Sequence, residues 1–290
     1  MAAVNETLLR RAVRDDDAWE QLVDARAPEL RRFLEWAAAC EAGAPETSLR
    51  LATRTDVVRC RAILGLFDEP WWAVVVYSCF DSVTGTRVAA RTFFEPLPAA
   101  IAKAAIDELE FPRGSVQHHR TQSGLRGAKA SIVSACQKAD QIEKTLTTRG
   151  LSFDDRFRRL EEIDVRWWSR TTHFDLLLRA GALAVGGERY SPDKAYLAGS
   201  QGPAAGFERV FGVKVTGGLS VVGEAILRRW STRWIDVARH VGADWDGEPY
   251  DSGDFENALC IFQELPHASL PNPGAFAAHP ESRRRRKAGC

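Results

Sequence analysis

The residue types best suited to chemistry cluster between Tyr190 and Gly212. There the chain reads as a short helix over Ser191–Leu197, a tight Gly199-Ser200-Gln201-Gly202-Pro203 turn and a second helix over Ala204–Phe211. Gly199 and Gly202 permit a positive φ or a close backbone approach. Pro203 starts a helix without wasting a donor. The free amides at that helix start favour an anion, and a phosphate suits them. Gly199, Ser200, Gln201 and Gly202, with Lys194 beside them, are therefore candidate phosphate contacts, although a plain αα-hairpin has the same look. Two carboxylates stand out by their surroundings, Asp193 and Asp175. Asp193 and Lys194 also suit a surface pair at a helix start. Asp175 sits in an otherwise apolar Phe174–Leu178 run, where a helix cap or an ion pair with Arg170 or Arg179 would explain it equally well. Trp167-Trp168 and Trp71-Trp72 are adjacent pairs in which one ring should face the core and the other could stack on a planar ligand. His118, His119 and Arg120 stand in a polar stretch with Gln117, Gln122 and Ser123. No further metal ligands lie near them, so no zinc site is expected, and they read as a phosphate-touching loop or an exposed polar one.

The elements that must position these groups are mainly helical. The chain has 290 residues, 45% apolar and 27% charged, which is ordinary globular usage and excludes a mostly disordered chain. One or two domains fit that length. The 39 basic and 39 acidic residues cancel, so net charge implies no partner. Charge is uneven, however. Arg113–Gly150 carries seven basic residues against Asp140 and Glu143, the tail carries Arg283–Lys287, and Asp244–Glu256 carries six acids and no base. The six cysteines are scattered without metal or redox spacing and are expected as reduced thiols, most of them packed as small hydrophobes. The most apolar run, Trp71–Phe80, is half the roughly 20 residues that a bilayer-spanning helix needs, and the N-terminus lacks the apolar stretch of a secretory signal. A cytoplasmic location, no membrane contact and a monomer are expected.

Residues 1 to 66 read as helices. Trp71–Phe80 is rich in β-branched and aromatic residues and predicts a strand, Asp81–Thr86 a turn, and Val88–Phe94 a second strand. Later helices are predicted over Ala99–Glu110, Gly124–Leu146, Phe153–Arg166, Phe174–Leu183, Leu219–Val241 and Asp254–Phe262, with Ser152 as an N-cap. The expected fold is thus mainly α with a small N-terminal antiparallel β element (α+β). The expected divisions are 1–112 (helices and β-hairpin), 113–267 (helical domain) and 268–290 (basic tail).

The Phe174-Asp-Leu-Leu helix, the Gly202-Pro203 hairpin and the terminal Glu256-Asn-Ala-Leu259 helix occur in that order. In this order the stretch from Phe153 to Gln263 resembles bacterial proteins of the 8-oxoguanine DNA glycosylase fold, in the helix-hairpin-helix glycosylase superfamily. The resemblance implies a protein that grips double-stranded DNA, extrudes one nucleotide and cleaves the bond between base and sugar. It implies no metal or organic cofactor. Trp167, Trp168, Glu256 and Asn257 become candidates for the base pocket, and His118, His119 and Arg120 for DNA contacts. The sequence departs from the family at two points. Ala204 or Glu208 stands where the hairpin lysine belongs, and Glu224 is the only acid in Leu219–Glu224, where the aspartate belongs. The lysine mechanism therefore does not carry over, and the candidate catalytic carboxylates are Glu208 and Glu224, nearest by position to the missing pair, with Asp175 and Asp193. The expectation is a monofunctional enzyme that hydrolyses the glycosidic bond and leaves an abasic site. Its substrate would be an oxidised purine, or a hypermodified base in phage DNA in an anti-phage role. A DNA-binding protein with catalysis lost and a protein-interaction module are the alternatives.

Overall fold

Side chains set the helix starts. Asp15 accepts from the Ala18 amide at 3.1 Å and begins α2 (Asp16–Glu41), with Asp16 and Asp17 in the first turn where the helix dipole favours anions. Ser152 does the same for α9 (Phe153–Glu162) through the Asp155 amide, and Ser169 and Thr172 form a reciprocal capping box at α10 (Arg170–Ala182). A computed structural model describes residues 4–43, 48–50, 55–116 and 124–265. It contains fourteen α-helices and no strand among the described residues. The tail 268–290 and the His118-His119-Arg120 segment lie outside the described residues.

The chain forms two compact units, one from residues 1–54 and 193–290 and one from residues 55–192. The 112/113 division expected from the sequence falls inside the second unit, and the 267/268 division lies outside the described residues. The first unit holds α1 (Glu6–Ala12), α2, α11 (Gly202–Phe211), α12 (Leu219–Thr232), α13 (Trp234–Val241) and α14 (Asp254–Phe262). Its centre is an aromatic cluster in which Phe33 contacts Trp36, Trp230, Trp234, Phe255 and Phe262 at centroid distances of 5.1–6.4 Å. Asn257 donates to the Leu49 carbonyl at 2.9 Å, and Arg50 reaches Asp254 at 3.5 Å, so the 48–50 segment belongs with the C-terminal helices.

The second unit holds α3 (Thr55–Arg61), α4 (Pro70–Phe80), α5 (Val83–Ala90), α6 (Ala99–Asp107), α7 (Gly124–Gln137), α8 (Ala139–Thr147), α9 and α10. The expected β-hairpin is not there. Trp71–Phe80 is the body of α4, and every one of those ten residues is buried. A helix buried all round has no polar face, so its residues carry no 3.6-residue periodicity, and the β-branched run looks like a strand. The apparent hairpin turn is two helix caps in succession. Asp81 takes the left-handed conformation (φ +51°) and ends α4, and the Ser82 hydroxyl accepts from the Gly85 amide to begin α5. Of the second expected strand, Val88–Ala90 is the end of α5.

Two long expected helices are each broken once, at Lys138 between α7 and α8 and at Arg233 between α12 and α13. Cys40, Cys60, Cys79 and Cys136 are buried, and Cys260 is half-buried. No described helix is long and apolar enough to cross a membrane.

Candidate nucleic-acid interface

The glycine turn lies at the surface, but only one of its two expected helices exists. Residues 191–197 are irregular, with Tyr196 at φ +53°, and α11 alone follows the turn. The irregular stretch is fixed by a carboxylate. Glu224, on α12, accepts from the Ala195 amide at 2.8 Å and from the Leu197 amide at 2.6 Å. Burial pushes the Glu224 carboxyl above its ordinary range, while those two amides and the charges of Lys194 and Arg228 pull it back. Glu224 thus holds the approach to the turn.

Beyond Leu197 the chain reverses. Gly199 takes φ +71°, and the Ser200 amide and hydroxyl both donate to the Leu197 carbonyl, at 3.3 and 3.1 Å. Gln201 precedes the helix and is exposed, and Pro203 occupies the first turn of α11. Gln201 makes no side-chain cap on α11, so the first-turn amides of Gly202 and Ala204 have neither an intrahelical acceptor nor one from the cap side chain. The helix is seated by two glycines against α14. A Cβ at Gly202 would stand 2.5 Å from the Cys260 sulfur, and one at Gly206 only 2.2 Å from the Leu259 carbonyl oxygen.

The turn borders an open cavity of about 620 Å³, with α11 on one side and the loop from Lys214 to Gly217 on the other. Glu208, Lys214, Thr216 and Ser220 are its polar side chains besides Ser200 and Gln201. Glu208 and Lys214 are both exposed, so one carboxylate and one ammonium stand on the lining of a cavity of ligand-site size. Sequence reasoning singled out the turn and Glu208. It missed Lys214, which lies past the end of α11, where a scan confined to the hairpin does not look. Ala205 and Glu208 also border a second recess of about 470 Å³, where Arg26 and Arg209 are occupied with backbone carbonyls.

The remaining candidates do not line this cavity. Asp193 is exposed on the stretch before the turn, and Lys194 folds over the Tyr196 ring at 4.7 Å. Asn257 is committed to Leu49, and Glu256 stands beside it in the first turn of α14. Asp175 belongs to the other unit, buried on α10 at 2% exposure, one helical turn from Arg179, which pairs with Asp81 at 2.6 Å. Trp167 and Trp168 also belong to that unit. Trp168 is half-buried beside His173, whereas Trp167 is exposed, with φ +69°, on the wall of a separate groove. Comparison of the chain with family models, with curated proteins and with solved structures finds no match.

Proposed function

We propose that the protein is a DNA glycosylase that extrudes a modified nucleotide from double-stranded DNA and hydrolyses its base–sugar bond, leaving an abasic site. The observation that supports this reading is the exposed, uncapped start of α11 at the Gly199–Gly202 turn, opening on a cavity that carries Glu208. The first-turn amides bind a backbone phosphate beside the extruded nucleotide. The cavity takes the swung-out sugar and base. Glu208, solvent-accessible and on the wall, stabilises the developing sugar cation or orients the attacking water. The bond broken joins the base nitrogen to C1′ of the sugar; water supplies the hydroxyl at C1′ and a proton to the departing base. The substrate is an oxidised purine or a hypermodified pyrimidine such as phage DNA carries.

The test incubates the protein with duplexes that each carry one such base, followed by alkaline cleavage and mass spectrometry of the freed base. Release of one base is expected, with loss of about a hundredfold or more in Glu208→Gln and retained duplex binding. Borohydride should trap no covalent adduct; a trapped adduct lost in Lys214→Ala would assign the attack to that amine instead. One observation favours a second reading, DNA binding without catalysis: Glu224, the only acid near the family's aspartate position, is tied to two backbone amides. Duplex binding with no base freed from any substrate would establish it.

A further inference from the structure

The unit formed by residues 55–192 carries a groove of about 670 Å³ between α6 and α7. Four cations (Lys103, Arg126, Lys129 and Arg166) and one carboxylate (Asp107) stand on its walls, with the Trp167 ring at its edge. The single acid is already engaged, because Lys103 pairs with Asp107 at 2.6 Å along one face of α6. Lys129 reaches the Leu109 carbonyl at 3.2 Å and stands 5.3 Å from the Phe111 ring centre. Arg126 and Arg166 are exposed, and neither guanidinium has an ion pair among the described residues. The groove therefore presents two unneutralised guanidinium groups in a net positive channel.

Trp167 gives the groove its second character. Tryptophan at φ +69° is an uncommon and costly backbone state. Two serines of α7 fix the preceding residue: the Ser131 hydroxyl donates to the Arg166 carbonyl and the Arg166 amide donates to the Ser134 hydroxyl, each at 3.0 Å. Ser131 is fully buried and Ser134 nearly so. The Trp168 amide closes the turn onto the Val165 carbonyl at 3.0 Å. This scaffold holds a large indole outward at 39% exposure, with no ring partner among the described residues, when ordinary packing would turn it inward. An outward aromatic face on a groove that also carries two guanidinium groups matches a base followed by its phosphates.

We propose that the groove between α6 and α7 binds single-stranded DNA, with a base stacked on Trp167 and adjacent phosphates held by Arg126 and Arg166. A strand is favoured over a duplex because stacking on the indole needs an unpaired base face. It is favoured over an acidic peptide because charge alone leaves the held-out indole unexplained. The site does not depend on the glycosylase reading: it belongs to the unit of residues 55–192, whereas the cavity at α11 belongs to the other unit.

The test measures fluorescence anisotropy of a labelled oligothymidylate with the full chain. Trp167→Gly keeps the left-handed backbone without strain and removes the ring. Affinity is expected to fall about tenfold in that variant and to return in Trp167→Tyr. Arg126→Gln with Arg166→Gln should weaken binding and flatten the slope of log affinity against log salt by about 1.4, the single-strand value for two lost phosphate contacts. Circular dichroism and thermal melting identify any variant that fails to fold. Oligothymidylate binding that ignores all these substitutions overturns the inference, as does absence of binding. Equal binding of polyglutamate, insensitive to Trp167, also overturns it, since the groove would then read charge alone. The two proposals fail separately. A chain that frees no base from any duplex but shows these losses removes the glycosylase reading and leaves the groove. Base release with groove variants that bind the oligonucleotide as wild type removes only the groove.

Discussion

A neutral imidazole is held inside α10. His173 is 8% exposed, with Trp168 and Phe157 edge-on at 5.7 and 6.4 Å, and neither ring nitrogen has a hydrogen-bond partner among the described residues. Burial pushes its pKa down to about 4 from the ordinary 6.5. Between those values the unfolded chain carries a proton that the folded chain does not. Stability is therefore complete above about pH 6.5, falls on acidification and levels off below about pH 4, a loss on the order of 3 kcal/mol. His173→Leu removes this dependence, so its melting temperature should drop less between pH 7 and pH 5 than that of the parent chain. Parallel pH curves would show that other groups set the acid limb. Glu224 has the opposite role, as a carboxylate that binds its own backbone. Glu224→Ala strips two amides of their acceptor and should cost about 1–3 kcal/mol in chemical denaturation, with Glu224→Gln intermediate. A Glu224→Ala variant as stable as the parent but inactive in base release would make Glu224 a catalytic group instead of a clamp.

At the scale of elements, the contact between α11 and α14 decides where the turn points. Gly206 meets the Leu259 backbone, which has no side-chain freedom with which to yield. Gly206→Ala should therefore separate the helices and destabilise by about 1–3 kcal/mol in thermal or chemical melting, despite alanine's better helix propensity. An unchanged or raised melting temperature would mean that α11 is not held by this contact. The amphipathic helices were legible in the sequence: the Asp254–Phe262 helix, the Ser152 cap and the Pro203 start all follow from local chemistry. The α4 helix was not, because its signal is burial on every side, and burial is settled by α5, α7 and α10, which pack around it. The irregular approach at 191–197 was not legible either. Pro192 and the polar run after it suit a helix start, and what prevents a helix there is Glu224, some thirty residues away, taking the two amides. Within the candidate site, the turn and Glu208 could be read from spacing, while Lys214 enters only through the path of the loop after α11.

At the scale of the whole molecule, a contiguous stretch forms one unit while the other is assembled from both ends of the chain. The sequence gives no local mark of this, because the basic stretch that begins at Arg113 falls inside the second unit. The charge of the groove between α6 and α7 is likewise hidden in the totals, since 39 bases and 39 acids conceal a groove with four cations and one carboxylate. Residues 55–192 bring their own buried set, with Trp72, Tyr77, Phe80, Phe93 and Phe174 all nearly or fully inaccessible, and the Arg179–Asp81 pair lies within it. A contiguous segment with its own core is expected to fold alone. Expressed by itself, 55–192 should give a helical circular dichroism spectrum and a single cooperative melting transition. Its melting temperature should decline below pH 6.5, as burial of His173 requires. A helical signal that fades gradually with temperature would show that this half takes its order from the other, and the aromatic cluster around Phe33 would then be the one core on which the whole chain depends.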